Sequence, residues 1–204
     1  MNTEDNPKTQ KHNASMKRKK AVIDKQIAEA QDKRGVFLFI TGNGKGKTTS
    51  AFGTVVRALG HGQRVGVVQF IKGTQATGEV IYLQQHHPQL DYYAMATGFT
   101  WNTQDWDQDQ AAAEQAWSHS KRMLADESLH LVLLDELTYM LKYGYLEMDQ
   151  VVRAIESRPE PQNVIVTGRG AKPELVAIAD TVSDIAATKH AFKAGVKAQA
   201  GVDY

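Results

Sequence analysis

One segment, residues 36–59, restricts the possible folds of this chain more than any other. An apolar run, VFLFIT, is followed at once by the glycine-rich GNGKGKTTS, and helical apolar spacing then continues to residue 59. A strand, a glycine-rich turn and a helix in this order are typical of proteins that bind phosphate groups at a helix N-terminus. A second apolar run, at residues 64–71, completes a predicted β-α-β unit, which requires two parallel strands.

The glycine-rich turn departs from the usual phosphate-loop pattern, G-x-x-x-x-G-K-[ST], at one position. That pattern places glycine where this chain has Thr41, and the glycine comes one residue later, at Gly42. Glycines let backbone N–H groups approach phosphate oxygens, lysine supplies a cation, and a threonine hydroxyl suits Mg²⁺. We therefore predict an ATP triphosphate site that comprises Gly42, Asn43, Gly44, Lys45, Gly46, Lys47, Thr48 and Thr49. The shorter spacing also predicts a triphosphate position that differs from the one used for hydrolysis.

The rest of the chain alternates between predicted strands and helices. Further strands are expected at residues 91–96, 129–135, 163–167 and 181–186. The longest predicted helix covers residues 105–125, and its side chains with core spacing are Trp106, Ala113, Trp117 and Leu124. This alternation predicts an α/β fold of the P-loop NTPase type, with a mainly parallel sheet of five to six strands flanked by helices.

The N-terminal 34 residues differ in composition from the rest of the chain. They carry nine Lys or Arg and five Asp or Glu, and the basic run MKRKK favours a solvated helix face over a nucleic-acid-binding surface. Residues 1–14 are polar and aperiodic, so we expect a disordered tail. Residues 15–34 carry the thin apolar stripe of an amphipathic helix, and residues 35–204 form one predicted nucleotide-binding domain.

Composition excludes several classes of protein. The chain has no cysteine, which excludes disulfides, thiolate metal sites and cysteine nucleophiles. It has no apolar run near the ~18 residues of a membrane span, and its N-terminus lacks the apolar stretch of a secretory signal. We therefore expect a cytoplasmic protein that has neither a membrane nor a nucleic acid as its partner.

Charged residues follow two of the predicted strands. The run LVLLDE ends in Asp135 and Glu136, the arrangement expected where a buried strand reaches a nucleotide site and orients magnesium. Both carboxylates are predicted metal-site residues, together with Thr48. Arg169, directly after the strand NVIVT, is predicted to clamp phosphate, because ligands of open α/β sheets bind beyond the carboxyl ends of the strands. Arg57, about three turns into the helix after the loop, is a second cationic candidate.

Two aromatic residues, Phe99 and Trp101, lie in the segment ATGFTWNTQDW just past a predicted strand end. They can cover a flat apolar ligand or close the edge of the core, and the residues alone leave both possibilities open. The chemistry is open as well, since a phosphate loop and an acidic strand would suffice for an ATPase or a kinase. An ATPase acting on nucleic acid is a third possibility, but the body of the chain lacks the extended basic face that it requires.

Seven blocks of sequence carry a resemblance to a known family. In chain order they are TGNGKGKTTSAFGTVVRALGHG, VGVVQFIKG, MATGFTW, KRMLAD, LLDELTYM, VTGRG and HAFKAGVKAQAGVDY. With these blocks the chain resembles, from about residue 15 to its C-terminus, the ATP:corrinoid adenosyltransferases of cobalamin synthesis and corrinoid salvage. The resemblance implies a homodimer with a RecA-like nucleotide-binding sheet.

The resemblance implies transfer of the 5′-deoxyadenosyl group of ATP to the cobalt(I) of a reduced corrinoid, with release of triphosphate. Lys47 would then neutralise the triphosphate, and Thr48 with Glu136 would hold magnesium. Phe99 and Trp101 match an aromatic pair that is implied to pack on the lower corrin face and displace the axial base. This pair and Lys47 are therefore the predicted catalytic residues.

The same resemblance implies the remaining partners. Arg57 and Arg169 match positions near the nucleotide, cobalamin or another corrinoid is the implied acceptor, and a reduced flavoprotein is the implied electron donor. The N-terminal amphipathic helix resembles a segment that folds over the bound corrinoid. The domain at residues 35–204 would thus bind both ATP and the corrinoid.

Overall fold

The structure, a computed structural model, describes residues 7–71, 76–95 and 105–204. The chain divides into two compact units, of which the first ends at Lys33 and the second is Arg34–Tyr204. Phe99 and Trp101 lie outside the described residues. The predicted roles of these two aromatic residues therefore stay predictions.

The described part of the first unit contains one helix, α1, at Pro7–Glu29. The structure corrects the predicted disordered tail at residues 7–14, which are helical. Proline is favoured in the first turn of a helix, and the polar residues after it include neither glycine nor a further proline, so nothing interrupts the helix. The apolar side chains Val22, Ile23 and Ile27 are exposed, in keeping with a stripe too thin to form a core of its own.

The second unit is built on a sheet whose described strands all pair in parallel. Its strands are β1 Phe37–Thr41, β2 Val65–Gln69, β3 Asp91–Ala94, β4 Leu131–Asp135, β5 Asn163–Thr167 and β6 Thr181–Asp184. Their order across the sheet is β3-β2-β4-β5-β1-β6. The predicted α/β fold with a parallel sheet of five to six strands is confirmed.

Helices connect the strands, as parallel pairing requires. The described helices of this unit are α2 Lys47–Gly60, α3 Gly78–His86, α4 Trp106–Leu124, α5 Leu137–Lys142, α6 Met148–Glu156 and α7 Pro173–Ile178, followed by a 3-10 turn at Ala191–Ala194. None of the described helices of the chain is long and apolar enough to cross a membrane.

Two apolar clusters fill the two faces of the sheet. One cluster lies under α2 and includes Phe52, Leu133 and Ile165. The other cluster is larger and includes Trp117 of α4 and Met140 of α5. The inner strands β2 and β4 are buried along their whole length, which explains why their sequences are continuously apolar until the last residue.

The predicted core positions of α4 are confirmed with one exception. Ala113, Trp117 and Leu124 are buried, but Trp106 is 53% exposed. Trp106 is the first residue of the helix, directly after the N-cap Asp105, so its side chain lies at the margin of the core. Its ring lies against the ring of Tyr145, with 5.9 Å between the centroids.

Candidate active site

The predicted phosphate loop lies between the end of β1 and the start of α2. Gly42 and Gly46 both have positive φ angles, 103° and 117°, which side chains other than glycine rarely adopt. At Gly42 a Cβ would also overlap the Asp184 carboxylate and the Ile185 carbonyl of the neighbouring strand end. The position that departs from the usual pattern, Thr41, is a buried strand residue that pairs with Asp184. The loop therefore needs its glycine one residue later than the usual pattern.

Lys47 is the cation at the centre of the loop. Its side chain is buried, and its Nζ donates a hydrogen bond to the carbonyl of Gly44 at 3.1 Å. Burial lowers the pKa of this amine, whereas the carboxylates of Glu136 and Asp135 act in the opposite direction. A buried cation of this kind is well placed to bind an anion that enters the loop.

Asp135, the last residue of β4, is almost completely buried and is surrounded by hydrogen-bond donors. Its Oδ1 accepts from the hydroxyls of Thr48 at 3.0 Å and Thr167 at 2.7 Å. Its Oδ2 accepts from the Gln69 amide at 2.9 Å. Burial raises the pKa of Asp135, and the three hydrogen bonds oppose this shift because each of them stabilises the ionised carboxylate.

Glu136 is the only residue other than glycine with a positive φ angle, 59°, within the described residues. Its amide donates to Thr167 Oγ1 at 2.9 Å, which fixes the backbone at the start of α5. Its Oε2 is buried and has no hydrogen-bond partner among the described residues. Burial, and after it the charge of Asp135, raises the pKa of Glu136 to about 7. A strained backbone that carries a buried carboxylate oxygen without a partner among the described residues is typical of a functional site.

A cavity of about 530 Å³ opens above the loop, in the size range of small-molecule sites. It is lined by the predicted residues Gly44, Lys45, Gly46, Lys47, Thr48, Thr49, Glu136 and Arg169. Asn43 and Arg169 both line a neighbouring cavity of about 850 Å³. The structure thus brings the loop, the acidic strand end and Arg169 together at the carboxyl edge of the sheet, where ligands of such folds bind.

Arg57 does not line either of these two cavities. It is an exposed residue of α2, ten residues beyond Lys47, which corresponds to about 15 Å along the helix axis. Its predicted contact with the nucleotide stays a prediction.

Residues 33–204 match the family described as ATP:corrinoid adenosyltransferase BtuR/CobO/CobP. The chain belongs to this family. Two relatives cover nearly all of the sequence. The corrinoid adenosyltransferase of Pseudomonas aeruginosa is 54% identical over 197 residues, which are 97% of this chain and 97% of that protein. The corrinoid adenosyltransferase CobA of Salmonella typhimurium is 54% identical over 182 residues, 89% of this chain and 92% of that protein.

Solved structures add little to the assignment of the ATP:corrinoid adenosyltransferase family. The helicase domain of Pyrococcus furiosus Hef aligns with 85% of this chain and 40% of its own length, at 14% identity and a TM-score of 0.37. The fold assignment rests on the strand order and the parallel pairing described above.

Some site residues of this adenosyltransferase family member were not predicted from the sequence. Gln69 and Thr167 bind the carboxylate of Asp135, and the C-terminal residues 201–204 line the cavity above the loop. A signal for the first two exists, since each is a polar residue at the end of an apolar strand, as Asp135 is. The contribution of the C-terminal segment depends on how the chain returns to the loop, which no local pattern encodes.

Proposed function

We propose that this chain transfers the 5′-deoxyadenosyl group of ATP to the cobalt(I) of a reduced corrinoid and releases triphosphate. One observation carries the proposal within a chain of this family. The buried Lys47, Arg169 and Glu136, whose buried Oε2 has no partner among the described residues, converge on one cavity above a phosphate loop. This cavity suits ATP, because it joins loop amides and cations to a carboxylate suited to a divalent cation.

In the proposed reaction, the electron pair of cobalt(I) attacks C5′ of the ribose. The new bond joins cobalt to carbon, the bond between C5′ and the triphosphate oxygen breaks, and its electron pair leaves with the triphosphate. The cobalt is formally oxidised to cobalt(III) in this step. Lys47 and Arg169 would stabilise the negative charge that grows on the leaving oxygen, and the loop would hold C5′ in line with the acceptor.

We further propose Thr48 and Glu136 as the residues that hold Mg²⁺ bound to ATP. The donor set fits, because Mg²⁺ takes oxygen ligands and the buried Oε2 of Glu136 has no other partner among the described residues. Asp135 would act through Thr48, since its two oxygens already accept three hydrogen bonds. When bound, magnesium would neutralise part of the triphosphate charge. One carboxylate and one hydroxyl suffice on the protein side, because Mg²⁺ at nucleotide sites usually takes its further ligands from phosphate oxygens and water.

Phe99 and Trp101 are proposed to pack on the lower face of the corrin and displace its axial base. The proposal rests on the match of GFTW to the family and on chemistry. Aromatic side chains offer cobalt no donor atom, and exclusion of water favours the loss of a polar axial ligand. A cobalt(II) corrinoid without this ligand is easier to reduce to the cobalt(I) nucleophile.

The test is an anaerobic reaction of the protein with ATP and chemically reduced cob(I)alamin. We expect the spectrum of an alkylated corrinoid to appear together with one equivalent of triphosphate. Release of ADP and phosphate without an alkylated corrinoid would contradict the proposal and favour a P-loop ATPase or a kinase. A matched sample of Lys47→Ala should release triphosphate much more slowly, which assigns the activity to the loop.

The remaining partners are also proposals. We propose a homodimer, tested by light scattering of the protein over a range of concentrations. A monomer at every concentration would contradict it. We propose a reduced flavoprotein as the electron donor, tested by replacing the chemical reductant with a reduced flavodoxin-type protein and following adenosylation of cob(II)alamin.

A further inference from the structure

Four adjacent strands each carry a polar residue at or near their carboxyl end, on the face of the sheet that carries α2. These residues are Tyr92 on β3, Gln69 on β2, Asp135 on β4 and Thr167 on β5. The strand register places Gln69 directly opposite Asp135. Tyr92 packs with the apolar cluster under α2, so the four residues share one face. We call this set the strand-end row.

Hydrogen bonds connect the strand-end row without interruption. The Tyr92 hydroxyl lies 2.7 Å from Gln69 Oε1, and Gln69 Nε2 lies 2.9 Å from Asp135 Oδ2. Asp135 Oδ1 then receives the hydroxyls of Thr167 and Thr48. The row therefore reaches from an edge strand of the sheet to the first turn of α2.

The direction of each bond follows from the chemistry of the groups. An ionised carboxylate only accepts hydrogen bonds, so the Gln69 amide must present its NH₂ to Asp135 and its oxygen to Tyr92. The Tyr92 hydroxyl must then be the donor. Burial, and after it the charge of Asp135, raises the pKa of Tyr92 to about 12, so the phenol keeps its proton at neutral pH.

The position of Asp135 decides what Thr48 can do. Thr48 has one hydroxyl proton, and in this structure it points to Asp135 Oδ1. The lone pairs of the same hydroxyl are thereby left for a cation. If the carboxylate rotated, the Thr48 proton would lose its acceptor and the hydroxyl could turn its proton toward the cation.

We infer that Tyr92 and Gln69 are positioning residues of the ATP site, which hold Asp135 in the orientation that keeps the Thr48 lone pairs available to the cation bound with ATP. This inference rests on the proposed function, because it requires that ATP binds here together with a divalent cation. Neither residue touches the nucleotide cavity, so both act through Asp135 and Thr48. Outer residues of this kind commonly change metal affinity although they never contact the metal.

The test compares ATP binding with and without magnesium, by calorimetry on the full chain in the absence of corrinoid. The quantity of interest is the magnesium effect, the ATP dissociation constant in EDTA divided by the constant in saturating MgCl₂. We expect Gln69→Met to reduce the magnesium effect about tenfold and Tyr92→Phe about threefold, since Tyr92 is one bond further from Asp135. ATP binding in EDTA should stay within twofold of the native value in both variants.

Tyr93→Phe is the matched control. Tyr93 is the next residue of β3 and packs on the opposite face, where its ring stacks on His119 at 3.9 Å between centroids. This variant loses a hydroxyl from the same strand but not from the strand-end row, and its magnesium effect should equal that of the native protein.

Each outcome of the calorimetry has one meaning. Variants of Gln69 and Tyr92 with the native magnesium effect would overturn the inference while leaving the proposed function intact. Equal loss of ATP affinity in EDTA and in MgCl₂ would also overturn it, because it would indicate a general packing defect. If the native protein does not bind ATP at all, the proposed function fails and the inference fails with it. Tyr92→Phe keeps the test informative if Gln69→Met does not fold, since the phenyl ring preserves the packing of a half-buried side chain.

Discussion

Lys45 of the phosphate loop is paired with Asp203 of the C-terminal segment, with 2.9 Å between Nζ and Oδ1. Both residues line the cavity above the loop. Hydrogen bonding by Lys45 holds the pKa of Asp203 below its usual value, so Asp203 is an anion at neutral pH. A carboxylate that lines a triphosphate-binding cavity competes with the triphosphate for Lys45. It also repels the triphosphate, because both are negatively charged.

We therefore predict that Asp203→Asn strengthens ATP binding. The dissociation constant in EDTA should fall about two- to fivefold at low ionic strength, and the gain should shrink as salt is added, because exposed charges are screened. Calorimetry at two salt concentrations measures both effects. Asp149→Asn is the control, since Asp149 forms an exposed pair with Arg153 elsewhere in the protein. Weaker ATP binding by Asp203→Asn would instead indicate that the pair organises the site.

Glu136→Gly is predicted to stabilise the protein while it disables the reaction. Glycine adopts the φ angle of 59° without strain, and the change also removes a buried carboxylate whose Oε2 lacks a partner among the described residues. A gain of about 1 kcal/mol would raise the thermal midpoint by about 2–4 °C. Adenosyl transfer should fall on the order of a hundredfold through the loss of a proposed magnesium ligand. Glu136→Gln removes the carboxylate but keeps the backbone strain, so it should lose activity with a smaller gain in the thermal midpoint than Glu136→Gly.

Trp101→Ala is predicted to separate reduction of the corrinoid from transfer. If Trp101 helps to remove the axial base, its loss should impair the reaction that starts from cob(II)alamin at least about tenfold more than the reaction that starts from cob(I)alamin. Adenosylation rates from the two starting states measure the difference. Trp106→Ala, a change at a half-exposed residue of the helix that follows in the chain, should leave both rates near native. Equal losses in Trp101→Ala would indicate a packing role.

Asp180→Asn is predicted to reduce stability in a way that depends on pH. Asp180 accepts hydrogen bonds from Arg34 at 2.5 Å and from the Phe37 amide at 2.7 Å, and these bonds hold its pKa below the usual value. A carboxylate with a lowered pKa in the folded state stabilises the protein above its unfolded pKa, and this contribution is lost as the pH falls through the folded pKa.

At pH 7 the free energy of unfolding of Asp180→Asn should be about 0.5–1 kcal/mol below the native value, a modest figure because solvent screens the exposed Arg34. The deficit should shrink as the pH falls below 4. Urea unfolding across this pH range measures it. Asp24→Asn, which breaks an exposed pair with Lys20 within one helix, should show no comparable deficit. If the difference in the free energy of unfolding instead grew toward low pH, the lowered pKa of Asp180 would be contradicted.

Much of this fold could be predicted because its signals are local. Each of the six described strands falls within a range that the sequence predicted as a strand, and the loop between β1 and α2 follows from its glycines. Lys47, Glu136 and Arg169 could be placed at one site because the carboxyl ends of parallel strands meet at one edge.

The residues that sequence reasoning missed depend on which strands become neighbours. Gln69 meets Asp135 only because β2 lies beside β4, and Thr167 reaches Asp135 only because β5 lies on the other side of β4. In chain order β3 separates β2 from β4, and although β4 and β5 are consecutive strands, only the strand order of the sheet shows that they pair. The early start of α1 was missed for another reason, since a polar sequence lacks apolar periodicity whether it is helical or disordered.

The hydrogen bonds around Asp135 also determine which protonation state of its carboxylate fits the site. Thr48, Thr167 and Gln69 each point one proton at the carboxylate, and both of its oxygens face donors. A protonated Asp135 would add a fourth proton where no acceptor is left for it, so one donor would have to turn away. Although burial alone favours the neutral acid, the cluster is complete only with Asp135 as an anion. These hydrogen bonds therefore favour a negative charge on Asp135 beneath the phosphate loop, and that charge, together with the charge of Glu136, favours the charged form of Lys47 against the effect of burial.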